Sequence, residues 1–424
     1  MLRNLLAVTA VSVLVQCGAP SSNSSGLEIH VQQITEGPLN HYFGYIGHVQ
    51  NIPWNASERY ILTLEVPFVD RAPTADDTAD ILLIDTQDGY RTRKVAATRA
   101  WNPQQGSMMY WNPAAPETQF FFNDRDPDTN HVFAVLFDVE QGRRIREYRF
   151  DDTPVGNGGV RQNGGSFLAI NYGRMARLRP VTGYAGAYDW NPADPQPEDD
   201  GVFLVDVESG EKQLLASFAQ MRDLLRDRHP RVAEVPLFIN HTLWNREGDR
   251  IFFFVRGDFG NREARVNVPM TMRSDGSELH EQTVFIGGHP EWESGSRLIG
   301  HAQSSLVLYD SQTMEIVDKL GDSTVFPDPE NDVALSPDGE WIVQGLEEGP
   351  RTAYTVYRRS DEQWARTGWY DQHPYTSGDL RIDPAPKWNR SGSAFLFSSL
   401  TDEDEPTRQL YLATVAGTTD SKTR

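Results

Sequence analysis

Cysteine is all but missing: the 424-residue chain has one, Cys17, which excludes an intrachain disulfide and a thiolate metal cluster. Packing must supply the stability. Cationic side chains are also scarce, 39 Lys and Arg against 60 Asp and Glu, for a formal charge of −21. Such a surface repels phosphate backbones, so the composition argues against a nucleic-acid partner. The apolar run at 5–15 has 11 residues, short of the ~20 that a membrane-spanning helix needs. No G-x-S-x-G elbow, H-E-x-x-H or P-loop glycine pattern occurs, which removes a serine-type propeller peptidase, a zincin and a P-loop NTPase from consideration.

Aromatic residues are plentiful instead. Ten Trp, 15 Tyr and 20 Phe exclude an acidic disordered chain, because they must be buried somewhere. The run at 5–15 behind Arg3 has signal-peptide character, and Leu14-Val15-Gln16-Cys17 resembles a bacterial lipobox. Residues 1–16 are therefore expected to be a lipoprotein signal and Cys17 a lipidated first residue on a tether spanning 17–39. Gly18 in place of Asp after the cysteine favours the outer membrane of an exporting bacterium.

A tryptophan or equivalent, a short turn and a hydrophobic strand recur seven times. The anchors are Pro53-Trp54-Asn55, Trp111-Asn112-Pro113, Gln162-Asn163-Gly164-Gly165, Trp244-Asn245-Arg246, Trp292-Glu293-Ser294-Gly295, Leu335-Ser336-Pro337-Asp338-Gly339 and Trp388-Asn389-Arg390. A second strand follows each anchor, and in three of them an Asp and a Gly stand four apart: Asp85 and Gly89, Asp138 and Gly142, Asp206 and Gly210. That is hairpin chemistry, since glycine accepts the positive φ of a tight turn. The pattern predicts an all-β fold, a seven-bladed β-propeller over 40–417 with a disordered tail at 418–424. The 408 residues left after the expected signal give about 58 per blade, slightly above the usual repeat. One inserted helix is expected within 211–228, where Leu214, Phe218, Met221 and Leu225 recur at helical spacing.

Charge is uneven. Residues 143–179 hold eight arginines, no lysine and three acids. Arginine without lysine suits planar, bidentate binding of carboxylate or sulfate. Arg143, Arg144, Arg146 and Arg149 are expected to pair with neighbouring acids, whereas Arg174, Arg177 and Arg179, crowded near Tyr172 and Tyr184, are candidates for a site. His241 and His289 each stand three residues before a blade tryptophan, on inner strands that converge on the axis. His41 opens the first blade beside Tyr45. The alternating acids of Asp124, Asp126 and Asp128 read as a solvated turn rather than a calcium loop.

His41-Tyr42-Phe43-Gly44-Tyr45, Trp101-Asn102 with Gln104-Gln105-Gly106, Asn240-His241, and Arg381 leading to Trp388 resemble the seven-bladed propeller polysaccharide lyases, the oligogalacturonate and ulvan lyases, from about 40 to 415. The resemblance implies β-elimination on a uronate-containing anionic polysaccharide or oligosaccharide. That chemistry needs a cation on the C6 carboxylate, a base for the C5 proton and an acid for the leaving O4. On this reading Tyr172 transfers the proton, its pKa lowered by Arg174, Arg177 or Arg179, and His241 and His289 are alternative bases or supports. Gln104, Gln105 and Asn123 would donate to carboxylate or sulfate, with His41, Tyr45, Tyr184 and Arg381 also in contact with the saccharide. A divalent cation (Ca, Mn or Zn) is admitted, but Asn331-Asp332 and Ala385 stand where oligogalacturonate lyases place metal-binding histidines. Gln104-Gln105 and Asn123 likewise replace a histidine pair of the ulvan lyases. The alternative is a non-catalytic TolB-like propeller lipoprotein that binds glycans or protein partners.

Overall fold

The computed structural model describes residues 26–44 and 51–417. Seven antiparallel sheets follow one another along the chain, six of four strands and one, the sixth, with a fifth short strand at its edge. From the innermost strand outward they span 40–98, 110–148, 156–217, 237–281, 287–319, 333–371 and 387–417. The fold is the expected seven-bladed propeller. Second and third strands such as Gln119–Arg125 and Val132–Asp138 are buried almost throughout, because a blade is packed on both faces by its neighbours. Outer strands such as Glu315–Lys319 are largely exposed. Apolar clusters accordingly fill the seams between blades rather than one central core.

The repeated tryptophans have one job. Trp111 Nε1 donates to the Pro53 carbonyl at 2.7 Å, Trp244 to Gly159 at 3.1 Å, Trp292 to Leu243 at 3.1 Å and Trp388 to Ala334 at 3.0 Å. For Trp111, Trp292 and Trp388 the acceptor is the residue just before the preceding blade's anchor, and for Trp244 it is Gly159, just before Val160, which pairs with Phe167 as Trp244 pairs with Ile251; each indole thus staples its blade to the one before. The following asparagine folds the turn: Asn245 Oδ1 accepts from the Asp249 and Arg250 amides, and Asn389 Oδ1 from those of Ser393 and Ala394. Gly89, Gly142 and Gly210 have φ of 59°, 63° and 80°, as the hairpin spacing requires.

Two expectations need correction. Strand Leu27–Gln33, placed in the tether from sequence, pairs along its whole length with Arg408–Gly417 and is the outermost strand of blade seven. The ring thus closes by uniting the first and last described strands in one sheet, with Arg390 Nε adding bonds of 3.0 and 2.8 Å to the Trp54 and Asn55 carbonyls of blade one. The helix expected over 211–228 is shorter. Lys212–Ser217 is the outer strand of blade three, and the helix covers only Phe218–Leu225, opened by a Ser217/Gln220 capping box that buries Phe218, Met221 and Leu225. Another helix, α1 (Tyr172–Leu178), was not foreseen; Phe218–Leu225 is α2.

Candidate functional site

In four-stranded meanders, the connections between second and third strands and those between blades share one face of the ring. The longest of these, 171–200 in blade three, carries α1. Asn171 caps it by accepting from the Arg174 amide at 2.9 Å, and Arg179-Pro180 ends it. Gly173 lets this segment close on itself, since a Cβ there would sit 2.0 Å from the Tyr188 carbonyl oxygen.

On the same face, the link between blades one and two reaches the ring axis. Asn102 accepts through its carbonyl from Tyr42 Oη at 2.9 Å and donates to the Thr182 carbonyl at 3.2 Å. Arg408 of blade seven donates to the Pro103 carbonyl at 3.0 Å, and Gln105 Nε2 to Asn240 Oδ1 of blade four at 3.0 Å. Blades one, four and seven meet only at the axis, so this loop covers its mouth. Gln104 and Gln105 are both buried there.

Beneath the loop the first strands converge. His241 has φ of 60°, inside a register break of strand Leu237–Trp244 between Asn240 and Leu243. The bulge turns the imidazole to 5.0 Å from the His289 ring, centroid to centroid. His289 Nδ1 is bonded to Asp332 Oδ1, and Asp332 Oδ2 accepts from the Ala385 amide at 2.9 Å. A proton held on Nδ1 by the carboxylate leaves Nε2 of His289 with the lone pair. Asp332 occupies a position where sequence comparison counted only a lost histidine, and it is the residue that aligns His289. His41, on the blade-one side, sits between Gln409 Oε1 at 2.8 Å and Glu65 Oε2 at 3.1 Å.

Cations surround the mouth. Arg381 Nε donates to Asp383 Oδ1 at 2.8 Å, and Arg408 and Arg179 act electrostatically on the same carboxyl. Burial pushes the Asp383 carboxyl up in spite of all three guanidinium groups. The guanidinium carbons of Arg179, Arg256 and Arg265 lie 4.5, 4.7 and 5.0 Å from the Phe259 ring. Arg256 also covers Phe254 at 4.7 Å, whose ring meets His241 edge-on at 5.8 Å, so the arginine patch and the histidine pair are continuous.

The tyrosine-centred set is not assembled as expected. Tyr172 is 1% exposed, donates to the Asn157 carbonyl at 2.9 Å and stacks on Tyr184 at 4.4 Å. Its hydroxyl pKa is raised, by burial first and by Tyr184 and Tyr110 next, instead of being lowered by arginine. Arg174, also 1% exposed, spends its guanidinium on the carbonyls of Leu237, Asn191, Asp194 and Pro195, locking α1 and its loop to blade four. Arg177 pairs with Asp189 at 2.8 Å. Asn123 is fully buried, donating to the Asn157 carbonyl and Tyr184 and accepting from the Asn157 amide. Tyr172, Tyr184 and Asn123 pack blades two and three, and Arg174 ties blade three to blade four; of the arginine trio, only Arg179 reaches the mouth. Tyr45 and Cys17 lie outside the described residues.

Of the outer arginines, Arg144 pairs with Asp124 and Glu147 and Arg149 with Asp126 and Glu147 as expected, whereas Arg143 donates to Gln141 and Arg146 to the Val207 and Glu208 carbonyls instead of to acids. The acidic segment beside them is a turn in which Asp126 Oδ1 accepts from the Asp128 and Thr129 amides at 3.0 Å. Among the described residues, no three His, Cys, Asp or Glu side chains gather as a Ca, Mn or Zn site requires. Among the same residues, no helix is long and apolar enough to cross a membrane.

The fold and this mouth define a closed seven-bladed propeller with a polar, arginine-rimmed axial site. No family model matches the chain. No curated protein matches it either. Among solved structures it is similar to TolB from Acinetobacter baumannii, with 13% identity, 68% of this chain and 59% of that one covered, and a TM-score of 0.36. It is also similar to the Cps50 (Swd1) β-propeller domain of Myceliophteria thermophila, with 13% identity, 87% and 97% covered, and a TM-score of 0.45. The RRP9 WD40 repeats give 9% identity, 94% and 100% covered, and 0.45. The chain spans under two thirds of the TolB chain. These are likenesses of fold.

Proposed function

We propose that the axial mouth receives a uronate of an anionic polysaccharide or oligosaccharide and cleaves its glycosidic bond by β-elimination, in an exported protein lipid-anchored at Cys17. The observation that carries this reading is the His289–Asp332 pair, 5.0 Å from His241 and bordered by Arg179, Arg381 and the Phe259 arginine cluster. Catalysis moves from Tyr172 to the histidines. An arginine holds the C6 carboxylate and stabilises the charge that develops when His289 Nε2 takes the C5 proton. The electron pair forms the C4–C5 double bond, the bond from C4 to the glycosidic oxygen breaks, and His241 protonates that oxygen. Asp332 is a positioning residue that keeps the imidazole oriented and its Nε2 basic.

The test is incubation with ulvan, polygalacturonate, alginate and glycosaminoglycans, following the ultraviolet absorbance of the unsaturated uronide. Wild type produces it on at least one substrate, and His289→Ala binds that substrate without producing it. Absence of product on all of them would sink the elimination. A second reading, a TolB-like binding propeller without turnover, is favoured by one observation: the loop carrying Gln104 and Gln105 is tied across the axis to blades four and seven. Saccharide binding without product would select it.

A further inference from the structure

Away from the axis, on the same face, the outer parts of blades one and two form an open cavity of about 310 Å3, at the small end of ligand pockets. Four arginines line it: Arg99, Arg125, Arg144 and Arg149, with Asp124 and Asp126. They are not equivalent. Arg144 and Arg149 are neutralised by Asp124, Asp126 and Glu147, and Arg149 is further fixed 3.5 Å over the Phe133 ring.

Arg125 is different: 2% exposed, it spends both terminal nitrogens on neutral acceptors, Asn130 Oδ1 and the Ala75 carbonyl, and its Nε has no hydrogen-bond partner among the described residues. The guanidinium of Arg99 makes no hydrogen bond or ion pair among those residues. Only backbone amides tie the two positions together, Arg99 N and Arg125 N each donating to Asp124 Oδ1 at 2.8 Å. Burial and the charge of Arg99 both work against the charge on Arg125, and Asp124, Asp76 and Asp126 offset this in part. Two guanidinium groups without a hydrogen-bonded carboxylate therefore face one small cavity, in a chain of net charge −21. Burying like charges together is costly without a compensating anion.

We infer that this cavity binds a small carboxylate, taken end-on by the planar Arg99 guanidinium with Arg125 behind it. Arg99 suits this role because no internal partner has to be given up and its planar fork can hold both oxygens of a carboxylate. The site is independent of the axial chemistry and needs no turnover. Glucuronate is the probe, titrated calorimetrically into the full-length protein, with glucose and inorganic sulfate as comparisons. Glucuronate should bind wild type, and Arg99→Ala should weaken it roughly tenfold or more. Arg99→Ala removes no internal bond, and an unchanged circular dichroism spectrum verifies its fold. Equal affinity in Arg99→Ala, sulfate or glucose binding as tightly as glucuronate, or no binding to wild type would each overturn the assignment.

Discussion

Removing one indole N–H tests the logic of the ring most directly. In Trp388→Phe the phenyl ring keeps most of the seam contact, but the Ala334 carbonyl loses its donor at 3.0 Å. Trp388 is 3% exposed, so water cannot take the donor's place. A buried acceptor left unpaired costs about 1–3 kcal/mol. The shrinkage from indole to phenyl removes ~30 Å2 of apolar surface, or ~0.8 kcal/mol at ~25 cal/mol per Å2. Together these predict a loss of roughly 2–4 kcal/mol. Trp341 is the control: it is half-exposed, its indole nitrogen makes no hydrogen bond among the described residues, and Trp341→Phe should cost under ~1 kcal/mol. Urea unfolding followed by far-ultraviolet circular dichroism, which does not depend on the tryptophan count, measures both. Trp111→Phe, Trp244→Phe and Trp292→Phe should match Trp388→Phe within ~1 kcal/mol, because their acceptors occupy equivalent positions. If Trp388→Phe proves no more costly than Trp341→Phe, the staples are incidental and packing alone joins the blades.

Asp200 makes stability depend on pH. Burial raises its carboxyl from 3.8 to about 7, against the opposing effects of Asn171, Arg174 and the Gly201 amide. Its contribution is therefore complete below about pH 4 and is lost as pH rises through about 7, a change on the order of 4 kcal/mol. Asp200→Asn should flatten that slope in unfolding curves taken across the window, and an unchanged slope would refute it. Tyr172→Phe should lower stability by ~1 kcal/mol through loss of the bond to Asn157 and leave any uronide cleavage near the wild-type rate; abolished cleavage in a folded variant would return the tyrosine to the chemistry. Asp332→Asn should lower kcat for cleavage by roughly 10- to 100-fold with KM little changed, because the charged partner of His289 is lost. Equal falls in Asp332→Asn and wild-type activity on shifting pH, with no separate effect of the mutation, would remove its positioning role.

The ring was legible because its signals are local. A tryptophan with a turn after it, an Asp and a Gly four apart, and strand runs buried on both sides are each written within a dozen residues, and seven copies reinforce one another. The inner-strand placement of His241 and His289 was readable for the same reason. The expected helix went partly wrong because Leu214 belongs to a strand that happens to continue the apolar spacing of α2.

The site itself was not legible in that way. Arg174 and Arg177 have the composition of an anion site, yet one is consumed by four carbonyls and the other by Asp189, partners 12 to 63 residues away. Asp332 carries no motif at all and matters because blade six places it beside His289, 43 residues earlier. Sequence by itself determined the number of blades, the hairpin turns and which strands face the axis, since those follow from short-range periodicity and turn chemistry. Tertiary structure decided which charged groups are spent on holding the ring together and which remain at the mouth or in the outer cavity. That division depends on contacts across blades, where burial leaves a polar group either paired or costly, and no local pattern specifies the partner.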